Sequence, residues 1–212
     1  MEQTEAQSAA RDGYDRMAQE YVALVGEEFE KRSLTRSMLE LFAHEVAGTG
    51  RVADVGCGPG HLTALLADLG VDIFGIDISP TMVDHATATH PGLHFEIGTL
   101  AALPIDTGAL SAVVSRHSLI HTPPDLIPGA LDEFVRVLQP GGRLFLSFFA
   151  AATADTHGEP FDHAVTTAWQ LDTDTISAAL NSACLSETVR IIRQPHPTER
   201  QLPTTILLAT RA

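Results

Sequence analysis

The chain has 212 residues, 44% hydrophobic and 19% charged, which sets it outside the disordered, collagen-like and disulfide-scaffold classes and predicts one packed core. Thirteen lysines and arginines against 27 acids leave a formal charge of −14. That charge argues against nucleic acid or an anionic bilayer as the main partner, because counterion release needs a basic face. Cys57 and Cys184 form no disulfide framework, Met1–Arg11 is polar and lacks a signal peptide's apolar core, and Leu144–Ala152 is roughly half of a membrane span. A reducing cytoplasm is the expected setting, with no membrane partner.

Tyr14, Met17, Ala18, Tyr21 and Val25 recur at steps of three and four and predict a helix over Tyr14–Val25. Leu34, Met38, Leu41, Phe42 and Val46 predict a second, stopped by Gly48 and Gly50. The period then changes. Arg51–Val55 reads as a strand, Gly56–Gly60 as a glycine-rich turn and His61–Leu69 as a helix. Val71–Asp77 reads as a strand, followed by a helix that starts at Pro80 after Ser79 and ends near Pro91. Strands at Leu93–Ile97, Ala109–Ser115 and Arg143–Phe149 follow, the last two separated by a helix over about Gly129–Leu138. Strands alternating with helices predict a mostly parallel sheet covered on both faces, since right-handed crossovers place the helices there. Beyond it, Ala150–Thr167 is expected as a loop, Thr173–Ala183 as a helix, and Glu187–Arg193 and Thr204–Thr210 as strands.

In such sheets the ligand crevice lies beyond the strands' carboxyl ends, and the first loop leads into it. That loop is Asp54-Val-Gly-Cys-Gly-Pro-Gly60, with glycines at 56, 58 and 60. A dinucleotide fingerprint would need glycine at His61, and a phosphate loop would need Lys-Ser/Thr after the last glycine. Asp77, 17 residues past Gly60 at the end of the second strand, is placed to receive both hydroxyls of a ribose. Adenosine without pyrophosphate is the ligand these features imply.

Four further segments join this loop: Gly75-Ile-Asp-Ile-Ser79, Gly98-Thr-Leu-Ala-Ala-Leu-Pro104, Ser118-Leu-Ile-His121 and Leu138-Gln-Pro-Gly-Gly-Arg-Leu144, preceded by Gly13-Tyr-Asp-Arg-Met-Ala-Gln-Glu-Tyr21. In this order they resemble the motifs of class I S-adenosylmethionine-dependent methyltransferases, in a small-molecule (type 11-like) branch. The resemblance implies a doubly wound, mostly parallel seven-stranded sheet with the last strand antiparallel, and one domain with residues 1–48 as a helical cap. It implies S-adenosylmethionine as cofactor and S-adenosylhomocysteine as product. The backbone of Gly56, Cys57, Gly58 and Gly60 would pass under the methionine part, with Asp54 and Ser115 beside it. Asp77 would hold the ribose, and Ile78 and Met82 would flank the adenine. Where the family often has an acid for the adenine amino group this chain has Thr99, with the Leu100 amide as a second contact. Tyr21 and Arg36 would meet the cofactor's carboxylate, Arg36 through its bidentate fork.

His117 and His121 follow the fourth strand at i, i+4 spacing. A zinc site would need further ligands that no nearby Cys or His supplies, so no metal is expected and a general base is the functional reading, with partly buried packing histidines as the alternative. An ordinary histidine base would make activity rise through roughly pH 6–7. The expected reaction is methyl transfer to oxygen or nitrogen of a small-molecule acceptor. The alternatives are a nicotinamide-dependent oxidoreductase, disfavoured by His61, and a cofactor-binding module without chemistry, suggested by Thr99.

Overall fold

The computed structural model describes residues 5–23, 33–197 and 199–212. Seven strands form one sheet: β1 (Val52–Val55), β2 (Ile73–Asp77), β3 (Phe95–Ile97), β4 (Leu110–Arg116), β5 (Leu138–Phe149), β8 (Leu185–Arg193) and β9 (Thr204–Arg211). Their order is β3-β2-β1-β4-β5-β9-β8, and β9 alone runs against the others. The order reverses between β1 and β4, so the two loops leaving those strands flank a crevice at the carboxyl edge.

Alternation along each strand sends neighbours to opposite faces. Ala53, Val55, Phe74, Ile76, Leu146 and Phe148 join the core under α5 (Ile127–Val137), which buries Ile127, Ala130, Leu131, Phe134 and Val137 at helical spacing. Val52, Ile73, Phe145, Ile206 and Leu208 join a second core with Leu39, Phe42 and Val46 of α2 (Ser33–Val46) and with Leu62 and Leu66 of α3 (His61–Asp68). On that second helix the buried stripe is Met38, Leu39, Phe42, Ala43 and Val46, while Leu34 and Leu41 are exposed, a rotation from the stripe that hydropathy alone predicts. α4 (Pro80–Thr89) opens with Pro80 at its first position and Ser79 as cap, whose Oγ accepts the Met82 N–H at 3.1 Å. α6 (Thr173–Ser182) is capped by Asp172, which accepts the Thr175 N–H at 2.8 Å.

Three local expectations change. The first helix, α1, spans Glu5–Arg16, with helical backbone again over 18–23. It begins nine residues before Tyr14 because it is held by small residues, Ala10 and Gly13, rather than by an apolar stripe. Val25 lies outside the described residues. Within the expected loop Ala150–Thr167, β6 (Pro160–Asp162) pairs antiparallel with β7 (Thr167–Trp169) as a short hairpin. The i, i+4 spacing of the histidines is not that of a helical turn: His117 sits in the left-handed region at φ 56 and a 3-10 turn, Leu119–His121, follows.

Candidate active site

The loop after β1 is tied to the end of β2. Gly56 and Cys57 both donate their N–H to the Ile76 carbonyl, at 2.8 and 3.0 Å. Gly56 has φ +81, and a Cβ there would stand 2.2 Å from the Ser118 Cβ, so glycine is required both by the backbone and by the close approach of the β4 loop. At Gly58, with φ +52, a Cβ would meet only the Tyr21 ring, at 4.0 Å, among the described residues, and its N–H donates to Asp77 Oδ2 at 2.8 Å. The Ser79 N–H donates to the other carboxylate oxygen at 2.9 Å. Asp77 is 8% exposed. Burial raises its pKa, opposed by the amides of Ser79, Gly58 and Ile78. Asp54, at the end of β1, is also buried and accepts the Thr63 hydroxyl at 2.7 Å; burial pushes its carboxyl up to about 7.

A cavity of about 700 Å³, partly open to solvent, runs along this edge. It is lined by Asp77, Ile78, Thr99 and Leu100, by Gly56 and Gly58, and by Tyr14, His117 and His121. The Tyr14 hydroxyl lies 2.9 Å from His121 Nε2, and His121 Nδ1 lies 3.0 Å from the Thr167 carbonyl. A carbonyl only accepts, so Nδ1 carries the hydrogen and Nε2 accepts from Tyr14. Burial supports both neutral forms, raising the Tyr14 pKa and lowering that of His121. His163, from the β6–β7 hairpin, stands edge-on to His121 with ring centroids 5.0 Å apart, and burial drives its pKa down to about 3. His117 stacks on Phe149, centroids 4.5 Å apart, and donates its backbone N–H to the Ser147 carbonyl.

A second cleft of about 400 Å³ adjoins the first and is lined by Tyr21, Asp54, Gly56–Pro59, His61, Leu62 and Arg116. Tyr21, Gly56, Gly58, Asp77, Ile78, Thr99, Leu100, His117 and His121 therefore meet around the main cavity, and Asp54 and Cys57 line the smaller cleft. Four predicted residues lie elsewhere. Arg36 is on the outer face of α2, 55% exposed, and pairs with Glu40 at 3.1 Å, because the helix buries Thr35, Met38 and Leu39 instead. Met82 is fully buried below the Ser79 cap and lines neither cleft. Ser115 is buried and bonds Ser118 Oγ at 2.6 Å; Ser118 Oγ in turn donates to the Val55 carbonyl. Gly60 faces Phe95 and His90, where a Cβ would come within 3.0 Å, so it allows close packing under the loop. Arg116 and the α1 residues Gln7 and Ala10 line the cavity and were not expected, and Ser118, from the Ser118–His121 segment, lines it too. An arginine ending an apolar strand was a readable signal for the first. Among the described residues no group of three or more His, Cys, Asp or Glu is placed to hold a metal, and no helix is long and apolar enough to cross a membrane.

The sheet order, the lone antiparallel strand and the acid-ended second strand beside a glycine loop are those of class I S-adenosylmethionine-dependent methyltransferases, which the chain resembles in fold and, over part of its length, in sequence. Residues 52–142 match the family model described as a methyltransferase domain. An uncharacterised methyltransferase of Mycobacterium tuberculosis is 36% identical over 100 residues, covering 47% of this chain and 40% of that protein. The demethylmenaquinone methyltransferase of Beutenbergia cavernae is 37% identical over 100 residues, covering 47% and 41%. These matches span less than half the length of either relative. Among solved structures, the magnesium protoporphyrin IX methyltransferase of Synechocystis, with bound S-adenosylmethionine, shares the fold at a TM-score of 0.74 and 20% identity, covering all of both chains.

Proposed function

We propose that the chain transfers the methyl group of S-adenosylmethionine to oxygen or nitrogen of a small-molecule acceptor. The observation that carries this reading is Asp77: a buried carboxylate at the end of β2, fixed by two backbone amides and lining a cavity that a Tyr14–His121 hydrogen bond also lines. The residues present fit the nucleoside. Asp77 retains acceptor capacity for ribose hydroxyls, Ile78 and Leu100 offer apolar flanks, Thr99 offers a hydroxyl, and among the described residues a Cβ at Gly58 would meet only the Tyr21 ring, at 4.0 Å.

The donor supplies an already activated methyl group, so the chain's tasks are alignment, exclusion of water and removal of the acceptor's proton. α1 covers the cavity with Gln7, Ala10 and Tyr14. Tyr14 Oη is the atom placed to take the acceptor's proton while passing its own to His121 Nε2, and the Thr167 carbonyl holds the resulting imidazolium by its Nδ1–H. The acidic surface and a relative named for demethylmenaquinone both support an uncharged or cationic small organic acceptor over a nucleic acid. Cys57 and Cys184 are free thiols, in keeping with a reducing cytoplasm.

Calorimetry with S-adenosylhomocysteine tests the reading. The native chain is expected to bind it, and Asp77→Ala to lose about 1.5–3 kcal/mol, the range for a hydrogen bond to a charged group. Unchanged affinity in a folded variant would remove the ribose assignment. Binding of NADH with no binding of S-adenosylhomocysteine would favour the oxidoreductase, and binding with no turnover on any acceptor would favour the module without chemistry.

A further inference from the structure

Gly13, Tyr14 and Asp15 are consecutive in α1, and each meets a different part of the chain. Gly13 lies close against the Val165 carbonyl, Tyr14 Oη stands 2.9 Å from His121 Nε2, and Asp15 Oδ1 accepts the Ser79 hydroxyl at 2.5 Å and the Thr81 N–H at 3.3 Å. Successive residues of a helix are turned by about 100°, so the contacts on either side of Tyr14 fix the rotation of α1 and with it the place of the tyrosine hydroxyl. Ser79 is fully buried and donates in two directions, its N–H to Asp77 Oδ1 at 2.9 Å and its hydroxyl to Asp15. The cap of α4 is Ser79 itself, which takes the Met82 N–H, so Asp15 adds a link between two helices rather than the cap. Burial is the main cause of the raised Asp77 pKa and the Asp15 carboxylate adds to it, so the two acids repel across Ser79. Hydrogen bonds donated to Asp77 draw on its charge and ease that repulsion.

We propose that Asp15 is a positioning residue that couples the donor's ribose site to the proton relay, with Ser79 tying the Asp77 carboxylate on one side to the helix that carries Tyr14 on the other. This rests on the methyl-transfer reading above. Such coupling is reciprocal: a ribose held on Asp77 steadies Tyr14 against His121, and a seated Tyr14 tightens the donor.

The experiment follows Tyr14 by nuclear magnetic resonance and the donor site by calorimetry, both on the whole chain. The chain has two tyrosines, Tyr14 and Tyr21, so isotope labelling of their rings gives two sets of signals, and Tyr14→Phe assigns them. The Tyr14 ring stands edge-on to Tyr21 and His121, with centroids 5.0 and 5.5 Å away, so its shift reports its seat. Asp15→Ala should move the Tyr14 signal toward that of an exposed tyrosine and weaken S-adenosylhomocysteine about 3- to 10-fold, the scale of one net hydrogen bond. Saturating S-adenosylhomocysteine should bring that signal part of the way back. Asp15→Asn, which keeps the accepting oxygen, should leave the signal in place and the affinity within about twofold. If the alanine variant does not fold, Asp15→Glu carries the test: its extra methylene displaces the carboxylate, and signal and affinity must move in the same directions. An unmoved Tyr14 signal would overturn the proposal, and so would a moved signal with native affinity, which would leave Asp15 holding α1 with no tie to the donor. A native chain that binds no S-adenosylhomocysteine would instead overturn the methyl-transfer reading itself, whatever Tyr14 does.

Discussion

His121 has both ring nitrogens engaged, so it reaches an acceptor only through Tyr14. Tyr14→Phe should therefore cost about as much turnover as His121→Ala, in the 10²- to 10⁴-fold range of general-base catalysis, with S-adenosylhomocysteine affinity unchanged in both. Full activity in the phenylalanine variant, by initial-rate assay, would return the role to His117. Because burial lowers the His121 pKa, the acid limb of the rate profile is expected below the pH 6–7 rise of an ordinary histidine. A half-maximal pH at or above 6.5 would contradict it.

Asp54 makes a separate prediction about stability. Its folded pKa, about 7, is raised above the ordinary 3.8, so between those values the folded state keeps a proton that the unfolded state has released. Stability from this group is complete below about pH 4 and is lost as pH rises through 7. Asp54→Asn removes that loss while leaving an oxygen for the Thr63 hydroxyl. Thermal melts should show the variant gaining on the native chain from pH 5 to pH 8, and a constant gap would refute the assignment. Asp54, Gly56, Gly58 and Asp77 could be placed at the crevice in advance because they sit at or just after the ends of β1 and β2. Tyr14 could not, since the His121 that it touches is 107 residues away. Arg36 was misassigned because a hydropathy stripe does not fix a helix's rotation when Leu34 and Leu41 are left outside.

At the scale of elements, α1 is the piece most dependent on its contacts. A 12-residue helix with two small buried residues is marginal by itself, and it is held by Asp15 Oδ1, which accepts from the Ser79 hydroxyl at 2.5 Å and the Thr81 N–H at 3.3 Å, and by Gly13 lying against Val165. A Cβ at Gly13 would stand 2.7 Å from the Val165 carbonyl oxygen. Gly13→Ala gains about 1 kcal/mol of helix propensity, yet it must move the helix or the β6–β7 loop, and the propensity gain does not help a helix that has lost its seat. We expect faster hydrogen exchange over Glu5–Arg16 in this variant with β1, β4 and β5 unchanged. In the native chain, exchange over the same span should slow on adding S-adenosylhomocysteine. No slowing there would take α1 out of the role of cover. The parallel strands could be read in advance because two-sided burial leaves unbroken apolar runs such as Leu144–Leu146. The β6–β7 hairpin could not: its strands have three residues each, one begins with Pro160, and of the six only Ala168 is fully buried.

For the molecule as a whole, the acids outnumber the bases 27 to 13, and the question is whether ion pairs or self-repulsion dominates the surface. The pairs are real: Arg190 bonds Glu187 and Asp174, Arg136 bonds Glu133, and Arg193 bonds Glu199. Their side chains are nonetheless partly exposed, with 85% for Asp174 and 35% for Arg136, and such pairs contribute about 0–1 kcal/mol each. Acids without a base to match them repel one another over the Debye length, which shrinks from about 30 Å at 0.01 M salt to about 8 Å at 0.15 M. Repulsion at long range is screened before contact pairs are, so raising sodium chloride from about 10 to about 150 mM should raise the melting temperature of the ligand-free chain. Repeating the melt in Arg190→Gln should preserve the sign of that change. A melting temperature that falls with salt in both proteins would mean that the paired charges, and not the excess of acids, set the electrostatic stability of this surface.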